Sequence, residues 1–229
     1  MDKKNIGNLF DSIAGTYDRF NHLLSLNIDK SWRRRGVKRL RPADSVLDVA
    51  TGTADLSIEA ARRGKAGHVL GMDISKGMME IGRQKVKKAG LEDRISFIEG
   101  SALEMPFDDA SFDAVMCAFG VRNFSDLDRG LEEMFRVLRP GGQLMILEFS
   151  YPSNPVIRFF YDFFFSHIMP LVGRLMSSNG GAFLYFRESV KNFIWGNEMC
   201  SRISSTGFSN VTFKPLTFGI ATLYLADKA

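Results

Sequence analysis

The chain has 229 residues, of which 45% are hydrophobic and 24% are charged. This composition excludes an intrinsically disordered protein, and the length is sufficient for one α/β domain with a substantial core. The net charge of +4 is mild and does not require a polyanionic partner. Cys117 and Cys200 lack metal-ligand spacing, so we expect no metal site. The polar start MDKKNIGNLF has no apolar signal core, which predicts a cytoplasmic protein.

The first 44 residues are predicted to form a helical arm ahead of the first strand. From about residue 5 to residue 40, apolar side chains recur every three or four positions, as on one face of a helix. Tyr17, Asp18 and Asn21 stand at helical spacing in this arm. Such an arm either folds over a bound cofactor and excludes water, or simply packs on the sheet.

The densest positive charge of the chain falls at the end of this arm. It comprises Lys30, Arg33, Arg34, Arg35, Lys38, Arg39 and Arg41. One interpretation is a solvated helix face with Ile28, Trp32 and Leu40 turned inward. The others are a polyanion site and attraction to an anionic membrane surface, and all three stay open.

Strand-like and helix-like segments then alternate along the chain. Strands are predicted at residues 45–50, 68–73, 95–99, 112–119 and 143–149, and helices at 54–63, 75–89 and 126–138. This alternation predicts a mainly parallel sheet with helices on both faces. The sequence Pro140-Gly141-Gly142 is expected to separate the last of these helices from the fifth strand. Two runs at 208–214 and 218–226 are predicted to form an antiparallel hairpin that completes the sheet.

An aromatic segment interrupts this pattern between residues 151 and 196. Its aromatic residues include Phe159, Phe160, Tyr161, Phe163, Phe164 and Phe165. Charged residues and a proline fall among them, so the segment is too interrupted to span a bilayer. We interpret it either as a core helix or as a lid that lines an apolar pocket or touches a membrane.

The stretch SVLDVATGTAD, residues 45–55, is typical of a buried strand that turns tightly into a helix. The amides at a helix N-terminus are unpaired, and the small Gly52 lets a ligand approach them. Asp73 follows 21 residues after Gly52, where nucleotide-binding α/β units hold a ribose. Ala50 and Ala54 stand where a full fingerprint has glycines.

Several polar or small residues follow the ends of successive predicted strands. They are Asp48, Gly52, Thr53, Asp73, Ser101 and Ala102. Ligands of an open α/β sheet lie beyond the carboxyl ends of its strands, so we expect these residues to converge on one nucleoside site. S-adenosylmethionine fits better than a dinucleotide, because it is a cation without a pyrophosphate and both Asp48 and Asp55 lie near the turn.

Longer motifs extend over nearly the whole chain. They are FDSIAGTYDRFNHLLSLNIDKSWRRR, VLDVATGTAD, LEMPFDDASFD, FGVRNF, FRVLRPGGQLMILEFS, YDFFFSHIMPLVG, YFRESV and LTFGIATLYLADK. With these motifs the chain resembles the S-adenosylmethionine-dependent C-methyltransferases of menaquinone and ubiquinone biosynthesis. VLRPGG occurs across many methyltransferases, whereas FGVRNF and the segment from YD to HIMP are far more specific.

The resemblance implies a class I methyltransferase fold in a single domain over residues 1–229. This is a Rossmann-like, mainly parallel seven-stranded sheet with a C-terminal antiparallel hairpin, an N-terminal helical arm at 1–44 and a helical lid insertion at 151–196. The implied reaction is C-methylation of a polyprenylated quinol, with demethylmenaquinol to menaquinol as the leading expectation. A benzoquinol of the ubiquinone pathway is the alternative.

The resemblance also implies roles for individual residues. The cofactor contacts are Thr53, Asp73, Ser101 and Ala102, and the residues facing the acceptor are Arg122, Asn123 and His167. Many methyltransferases have an acid at position 101. Serine loses the charge-assisted part of that hydrogen bond, which is then worth about 1 kcal/mol rather than about 1.5–3 kcal/mol, so weaker cofactor binding is expected.

Methylation of a ring carbon requires positioning of the acceptor and removal of the phenol proton. Holding that carbon about 3–3.5 Å from the methyl group supplies roughly 7–11 kcal/mol. Arg122 is predicted to stabilise the developing phenolate; the alternative is an ion pair with an acid such as Asp126. His167 is a candidate base; the alternative is a packed, hydrogen-bonded residue.

The expected partners are therefore a prenylated quinol substrate and a transient membrane surface, with the protein peripheral at the inner face of the membrane. No nucleic acid is expected, and a homodimer stays open. Two rival functions remain. An RNA methyltransferase is suggested only by the basic cluster, and Ser101 with the missing glycines is compatible with a non-catalytic quinone-binding partner.

Overall fold

A computed structural model describes residue 25, residues 27–168 and residues 180–229 of the chain. Seven strands form one sheet, and helices cover both of its faces. The strands are β1 (Ala43–Val49), β2 (Ala66–Asp73), β3 (Ile95–Glu99), β4 (Phe112–Ala118), β5 (Leu138–Phe149), β6 (Ser209–Leu216) and β7 (Ala221–Asp227). The helices are α1 (Ile28–Arg39), α2 (Asp55–Arg62), α3 (Lys76–Ala89), α4 (Leu127–Val137), α5 (Pro155–Phe163), α6 (Gly180–Asn192) and α7 (Asn197–Ser205).

The strand order is β3-β2-β1-β4-β5-β7-β6. Strands β1 to β5 pair in parallel, whereas β7 pairs antiparallel with both β5 and β6. The central strand β1 is buried on both faces of the sheet, and its apolar residues Val46, Leu47 and Val49 are buried in the core. The predicted fold class, including the C-terminal hairpin, is confirmed.

Side-chain caps set the start of two site-bearing helices one residue later than predicted. Ser75 precedes α3, and its Oγ accepts a hydrogen bond of 3.1 Å from the amide of Met78. Asp126 precedes α4, and its carboxylate accepts one of 3.0 Å from the amide of Arg129. These side chains satisfy amides that the helix leaves unpaired, so both residues lie outside the helical turns.

The predicted break at Pro140-Gly141-Gly142 is wrong, because β5 begins at Leu138, directly after α4. Leu138 pairs with Phe112 and Gln143 with Ala114, so residues 139–142 bulge opposite a single residue of β4. The amide of Gly141 donates a hydrogen bond of 2.7 Å to the carbonyl of Lys228. This segment therefore stays in the sheet and is held there by the chain that follows β7.

Of the predicted arm, the structure describes residue 25 and the chain from residue 27, so Tyr17, Asp18 and Asn21 lie outside the described residues. Helix α1 packs on α2 and β5 and buries Trp32 and Leu40. The inward-facing apolar stripe expected for the basic segment is thus confirmed. One basic residue departs from the expected solvated face, because Arg33 is buried whereas its neighbours Arg34 and Arg35 are exposed.

The aromatic segment begins with α5, which is capped by Asn154 and starts with Pro155. A π-helical turn, Phe164–Ile168, follows it. Tyr161 is the buried residue of α5, whereas Phe159, Phe160 and Phe163 are exposed. The core-helix interpretation is therefore wrong for α5. No helix within the described ranges is long and apolar enough to cross a membrane.

Candidate active site

A cavity opens at the carboxyl ends of the central strands, where β1 lies between β2 and β4. This is the point at which the order of parallel strands reverses, and it is the usual ligand position in such sheets. Apolar and small side chains form most of the wall, and a few polar residues contribute to it, among them Asp73, Ser101 and Asn123. The predicted convergence of strand ends is therefore present in the structure.

The turn after β1 has a left-handed backbone at three alternate positions. The φ angles are 55° at Ala50, 55° at Gly52 and 65° at Ala54. Left-handed backbone is easy for glycine but costs an L-residue about 1–2 kcal/mol. The two alanines therefore adopt the backbone that glycines would adopt. The strain at Ala50 lies at the cavity wall, because Ala50 lines the cavity together with Gly52.

Asp73 ties this turn to the end of β2. One carboxylate oxygen accepts a hydrogen bond of 2.8 Å from the amide of Gly52, and the other accepts one of 2.9 Å from the amide of Ser75. An ionised carboxylate accepts hydrogen bonds at about four sites, so it can bind hydroxyl groups as well as amides. Asp73 thus shapes the loop and faces the cavity at once.

A smaller chamber adjoins the main cavity, and the two share Ala50, Gly52, Ala118 and Phe119 in their walls. The smaller chamber is more polar, and its lining residues include Arg33, Asp48, Thr51, Thr53 and Asp55. Two of the predicted cofactor residues, Asp48 and Thr53, therefore lie in this chamber and not in the main cavity.

Asp48 is buried beneath the turn. One of its carboxylate oxygens accepts hydrogen bonds from the hydroxyls of Thr51, at 2.8 Å, and Ser57, at 2.5 Å. Burial disfavours the charged carboxylate and raises its pKa to about 6, although the two hydroxyls and the charge of Arg33 act in the opposite direction. The group is therefore close to half-protonated in mildly acidic solution.

Asp55 lies among basic groups rather than apart from them. Its carboxylate forms an ion pair with Lys85 and lies 3.8 Å from a guanidinium nitrogen of Arg33. The ammonium of Lys85 also donates a hydrogen bond of 3.0 Å to the hydroxyl of Thr53. The negative charge of Asp55 is thus already compensated. Of the two acids, Asp48 is therefore better placed to interact with a cation.

Ser101 and Ala102 line the main cavity after β3. The hydroxyl oxygen of Ser101 accepts a long hydrogen bond of 3.3 Å from the amide of Leu103. A hydroxyl can also donate one bond and accept a second, so this side chain can still serve a ligand. Ala102 is buried and provides apolar contact.

The alternative considered for Arg122, an ion pair with a loop acid such as Asp126, is not found in that form, because Arg122 forms its ion pair with Glu148 of β5. Its Nη1 lies 2.8 Å from the carboxylate of Glu148 and donates a further hydrogen bond of 2.6 Å to the carbonyl of Phe119. The amide of Arg122 also donates to Glu148, at 3.2 Å. The side chains of Arg122 and Glu148 are 6% and 1% exposed, so the pair is desolvated. Arg122 is therefore fixed beside the cavity wall, without lining it.

His167 lies in the π-helical turn after α5. Its side chain is exposed, stacks on Phe163 with 4.8 Å between ring centroids, and places Nδ1 3.3 Å from the carbonyl oxygen of Phe163. His167 is not among the described residues that line either chamber. The structure thus does not bring it together with the cofactor residues.

Sequence reasoning missed several residues of the site. Ile74, Met78, Phe119 and Phe124 supply apolar walls of the main cavity, and Glu148 fixes Arg122. Ile74 directly follows the predicted ribose acid, so its position at a strand end was the available signal. Glu148 gave no such signal, because its partner lies 26 residues away in the sequence.

The two chambers fit the two halves of S-adenosylmethionine. The main cavity combines apolar walls with Asp73, as a purine and its ribose require. The smaller chamber offers one buried carboxylate and one buried guanidinium, which complement an amino acid with its ammonium and carboxylate groups. In the described part of the chain, no group of three or more His, Cys, Asp or Glu residues could hold a metal ion.

The fold and this two-part site together define a class I S-adenosylmethionine-dependent methyltransferase. The chain belongs to the ubiE/COQ5 methyltransferase family, whose family model matches residues 1–228. The resemblance and the enzyme class predicted from the motifs are therefore confirmed.

Individual proteins support the same assignment. A demethylmenaquinone methyltransferase of Bacteroides fragilis is 46% identical over 222 residues, covering 96% of this chain and 91% of that protein. A ubiquinone/menaquinone biosynthesis C-methyltransferase of Geotalea daltonii is 41% identical over 226 residues, covering 97% of this chain and 96% of that protein. The solved structure of an S-adenosylmethionine-dependent methyltransferase of Thermotoga maritima has a TM-score of 0.68 at 18% identity and covers 97% of this chain and 99% of that one. At that identity the last comparison shows the fold alone.

Proposed function

We propose that the protein methylates a ring carbon of a polyprenylated quinol and that its acceptor is demethylmenaquinol, which becomes menaquinol. The relative from Bacteroides fragilis, at 46% identity, is a demethylmenaquinone methyltransferase by name. The structural observation that carries the acceptor class is the position of the exposed apolar side chains. They lie at the same edge of the sheet as the cofactor site.

Six large hydrophobic side chains are exposed within the described residues. They are Ile74, Val156, Phe159, Phe160, Phe163 and Phe218. Ile74 follows β2, the next four lie on α5 directly after β5, and Phe218 lies between β6 and β7, where Leu216 pairs with Ala221. Ala221 in turn pairs with Phe149 at the end of β5. All six side chains therefore lie along the edge of the sheet at which the cofactor cavity opens. Apolar exposure along one edge, with four of the six side chains on one short helix, is typical of a lipid or membrane contact.

We also propose that this edge contacts the membrane surface transiently, so that the prenyl tail stays in lipid while the ring reaches the cofactor. Phe218 supports this proposal, because it is 76% exposed and has a left-handed φ of 59° that costs free energy. In the same proposal, residues 1–44 and 151–196 belong to the single methyltransferase domain.

The chain's own residues bind and position the reactants. Bound S-adenosylmethionine supplies a methyl group activated by its sulfonium charge. In the proposed arrangement Asp73, Ser101 and Ala102 hold the nucleoside, while Asp48, Thr53 and the Gly52 turn hold the amino-acid half. The apolar walls exclude water, which strengthens these polar contacts.

Arg122 is the proposed group that stabilises the developing phenolate. Its guanidinium is permanently charged and is rigidly held by Glu148, and its Nε is buried without a hydrogen-bond partner among the described residues. Such a preorganised donor costs little reorganisation during the reaction. His167 stays a candidate for accepting the phenol proton, since its exposed ring is accessible to an acceptor or to a water.

Transfer of a labelled methyl group tests the function directly. The protein is incubated with S-[methyl-³H]adenosylmethionine and, in separate reactions, with demethylmenaquinol in lipid vesicles, with a benzoquinol precursor in lipid vesicles, or with RNA, and label in the extracted acceptor is measured. We expect label in menaquinone, and loss of it in Asp73→Asn. Label in a benzoquinol precursor but not in menaquinone would reassign the acceptor, and label in RNA would establish the rival function. Quinone binding without label would indicate a non-catalytic partner.

Sedimentation with vesicles of phosphatidylethanolamine and phosphatidylglycerol tests the membrane contact. We expect binding by the wild-type protein and a large loss in Phe159→Ser/Phe160→Ser, which alters two exposed rings. Arg35→Gln/Lys38→Gln is the matched control for the basic helix, because both side chains are exposed on α1. If only the basic variant loses binding, the contact is electrostatic and the aromatic face is not its site.

A further inference from the structure

Three buried side-chain atoms in the described part of the chain have no hydrogen-bond partner. They are Nε of Arg122, the hydroxyl oxygen of Tyr161 and Nε of Arg187. Buried polar groups are almost always paired, because an unpaired one has lost its water without any replacement. Several unpaired atoms in one region therefore require a reason.

A continuous set of aromatic contacts connects Arg122 with Tyr161. The guanidinium of Arg122 lies 5.4 Å from the ring centroid of Phe149 and 5.2 Å from that of Phe186. Phe186 stacks on Phe165 at 5.7 Å, and Phe165 packs on Tyr161 at 4.5 Å between centroids. Arg187 is the chain neighbour of Phe186. Nε of Arg122 and the hydroxyl of Tyr161 thus belong to one aromatic cluster, formed by α5, the π-helical turn after it, α6, the end of β5 and the loop after β4.

Electrostatics supports this proximity. Burial raises the pKa of Tyr161, so its hydroxyl stays protonated, while the charges of both Arg122 and Arg187 act on it in the opposite direction. A guanidinium Nε–H can only donate a hydrogen bond, whereas a phenol hydroxyl can donate and accept. The cluster therefore offers up to three donors between aromatic rings, and its complement is a flat aromatic molecule with oxygen substituents.

The cluster adjoins the cofactor site through Phe119. Phe119 lines both chambers, and its ring packs on Phe149 with 4.4 Å between centroids. Its carbonyl oxygen accepts the hydrogen bond from Nη1 of Arg122. A ring held by the cluster would thus lie next to the wall of the methyl-donor site, as an acceptor must.

We propose that Tyr161 and Arg187, together with Arg122, bind the ring oxygens of the acceptor quinol. This inference rests on the proposed function and adds two substrate-binding residues to it. In this proposal the acceptor forms hydrogen bonds with the atoms that are unpaired in the free protein. These atoms have already lost their water on folding, so binding of the acceptor relieves that cost.

The test compares two neighbouring tyrosines that differ in hydrogen bonding. Tyr161 has an unpaired hydroxyl, whereas the hydroxyl of Tyr151 donates a hydrogen bond of 2.6 Å to Asp162, and the two rings pack at 5.7 Å. Tyr161→Phe should raise the KM for demethylmenaquinol about tenfold, as expected for a lost hydrogen bond to a phenolate-like oxygen. Its affinity for S-adenosylhomocysteine should stay within twofold, and its Tm should not fall.

The matched control, Tyr151→Phe, should show the reverse pattern. Its Tm should fall, because Asp162 loses a partner, while the KM for demethylmenaquinol should stay within twofold. Arg187→Lys retains the charge but removes the Nε–H donor, so it should raise the KM in the same way as Tyr161→Phe. An unchanged KM in both Tyr161→Phe and Arg187→Lys would overturn the inference. So would a fall in Tm for Tyr161→Phe that matches the fall for Tyr151→Phe.

The wild-type protein separates this inference from the proposed function. If the wild type transfers no methyl group to demethylmenaquinol, the function is wrong. If it does, and the Tyr161 and Arg187 variants match its KM, then only the assignment of the acceptor site is wrong.

Discussion

The backbone amide of Gly52 donates a hydrogen bond of 2.8 Å to the carboxylate of Asp73, and this bond joins the glycine turn to the end of the neighbouring strand. The Gly52 turn and Asp73 are therefore one structural unit and not two independent ligand contacts. Asp73 accepts a second amide bond, from Ser75, which precedes α3. Its carboxylate thus orders two loops that line the cavity.

Asp73→Asn is expected to weaken binding of S-adenosylhomocysteine about tenfold to a hundredfold, because the variant removes the negative charge that holds the Gly52 amide and faces the cavity. Isothermal titration calorimetry measures the effect. Asp93→Asn, which changes an exposed acid before β3, is the control and should bind as the wild type does. Equal affinities in Asp73→Asn and the wild type would contradict the assignment.

Arg122 and Glu148 are expected to depend on each other for stability. Removing one partner of a buried pair leaves an uncompensated charge and costs about 3–5 kcal/mol, whereas replacing both with apolar groups costs much less. Arg122→Met and Glu148→Met should each lower the free energy of unfolding more than the double variant does. Urea denaturation of the four proteins provides this comparison. Additive losses would show that the pair is not coupled.

Arg122→Ala also bears on the reaction itself. We expect a far larger loss of turnover than of cofactor affinity, because Arg122 lies beside the wall of the cofactor cavity and does not line it. The measurements are kcat in the methyl-transfer assay and the Kd for S-adenosylhomocysteine. Normal turnover in a folded Arg122→Ala protein would exclude the role in stabilising the phenolate.

The raised pKa of Asp48 predicts a specific pH dependence of the free energy of unfolding. Its pKa is raised from 3.8 to about 6 in the folded protein, so folding takes up a proton between these values. Stability from this group is therefore highest below about pH 4 and falls as the pH rises towards 6, by about 3 kcal/mol at most. Asp48→Asn should remove this component and be the more stable protein at pH 7.5. Parallel stability curves from pH 4 to pH 7.5 would contradict the prediction.

Glycine is expected to be required at position 71, because the side chain of Thr51 leaves little room for a Cβ atom there. A Cβ atom at position 71 would lie 2.9 Å from both Cγ2 and Oγ1 of Thr51, whose hydroxyl donates to Asp48. Gly71→Ala should therefore cost about 1–3 kcal/mol and lower the affinity for S-adenosylhomocysteine. Thr51→Ala/Gly71→Ala removes the two closest contacts and leaves the Cβ of residue 51 at 3.2 Å. The Tm of this double variant should therefore lie closer to that of Thr51→Ala than the Tm of Gly71→Ala lies to that of the wild type. Equal losses of Tm in the two backgrounds would place the strain elsewhere.

Ser101→Asp tests the departure from the acid found at this position in many methyltransferases. A charged acceptor strengthens a hydrogen bond by about 1 kcal/mol or more, so S-adenosylhomocysteine should bind about fivefold to tenfold more tightly. Calorimetric titration of Ser101→Asp, with Ser101→Asn as the uncharged control, provides the measurement. If Ser101→Asp binds no more tightly than Ser101→Asn, charge at position 101 does not limit cofactor affinity.

The parts of the site that follow single strands could be predicted from the sequence. Asp73 and Ser101 occur where a parallel strand ends, and this position in the chain is enough to place them at one edge of the sheet. The break at Pro140 was predicted wrongly, because the hydrogen bond between Gly141 and Lys228 joins segments far apart in the sequence. Local turn propensity does not include such a bond.

The sequence by itself determined the class of fold, the methyl donor and the family, because periodicity and strand-end motifs are local properties that the chain carries in order. Only the tertiary structure decided the partners of the buried charges. It pairs Arg122 with Glu148, separates Asp48 and Thr53 into a second chamber, and leaves Tyr161 and Arg187 with buried unpaired atoms. Burial and long-range contacts determine these relationships, since a side chain loses its water according to what packs on it and not according to its neighbours in sequence.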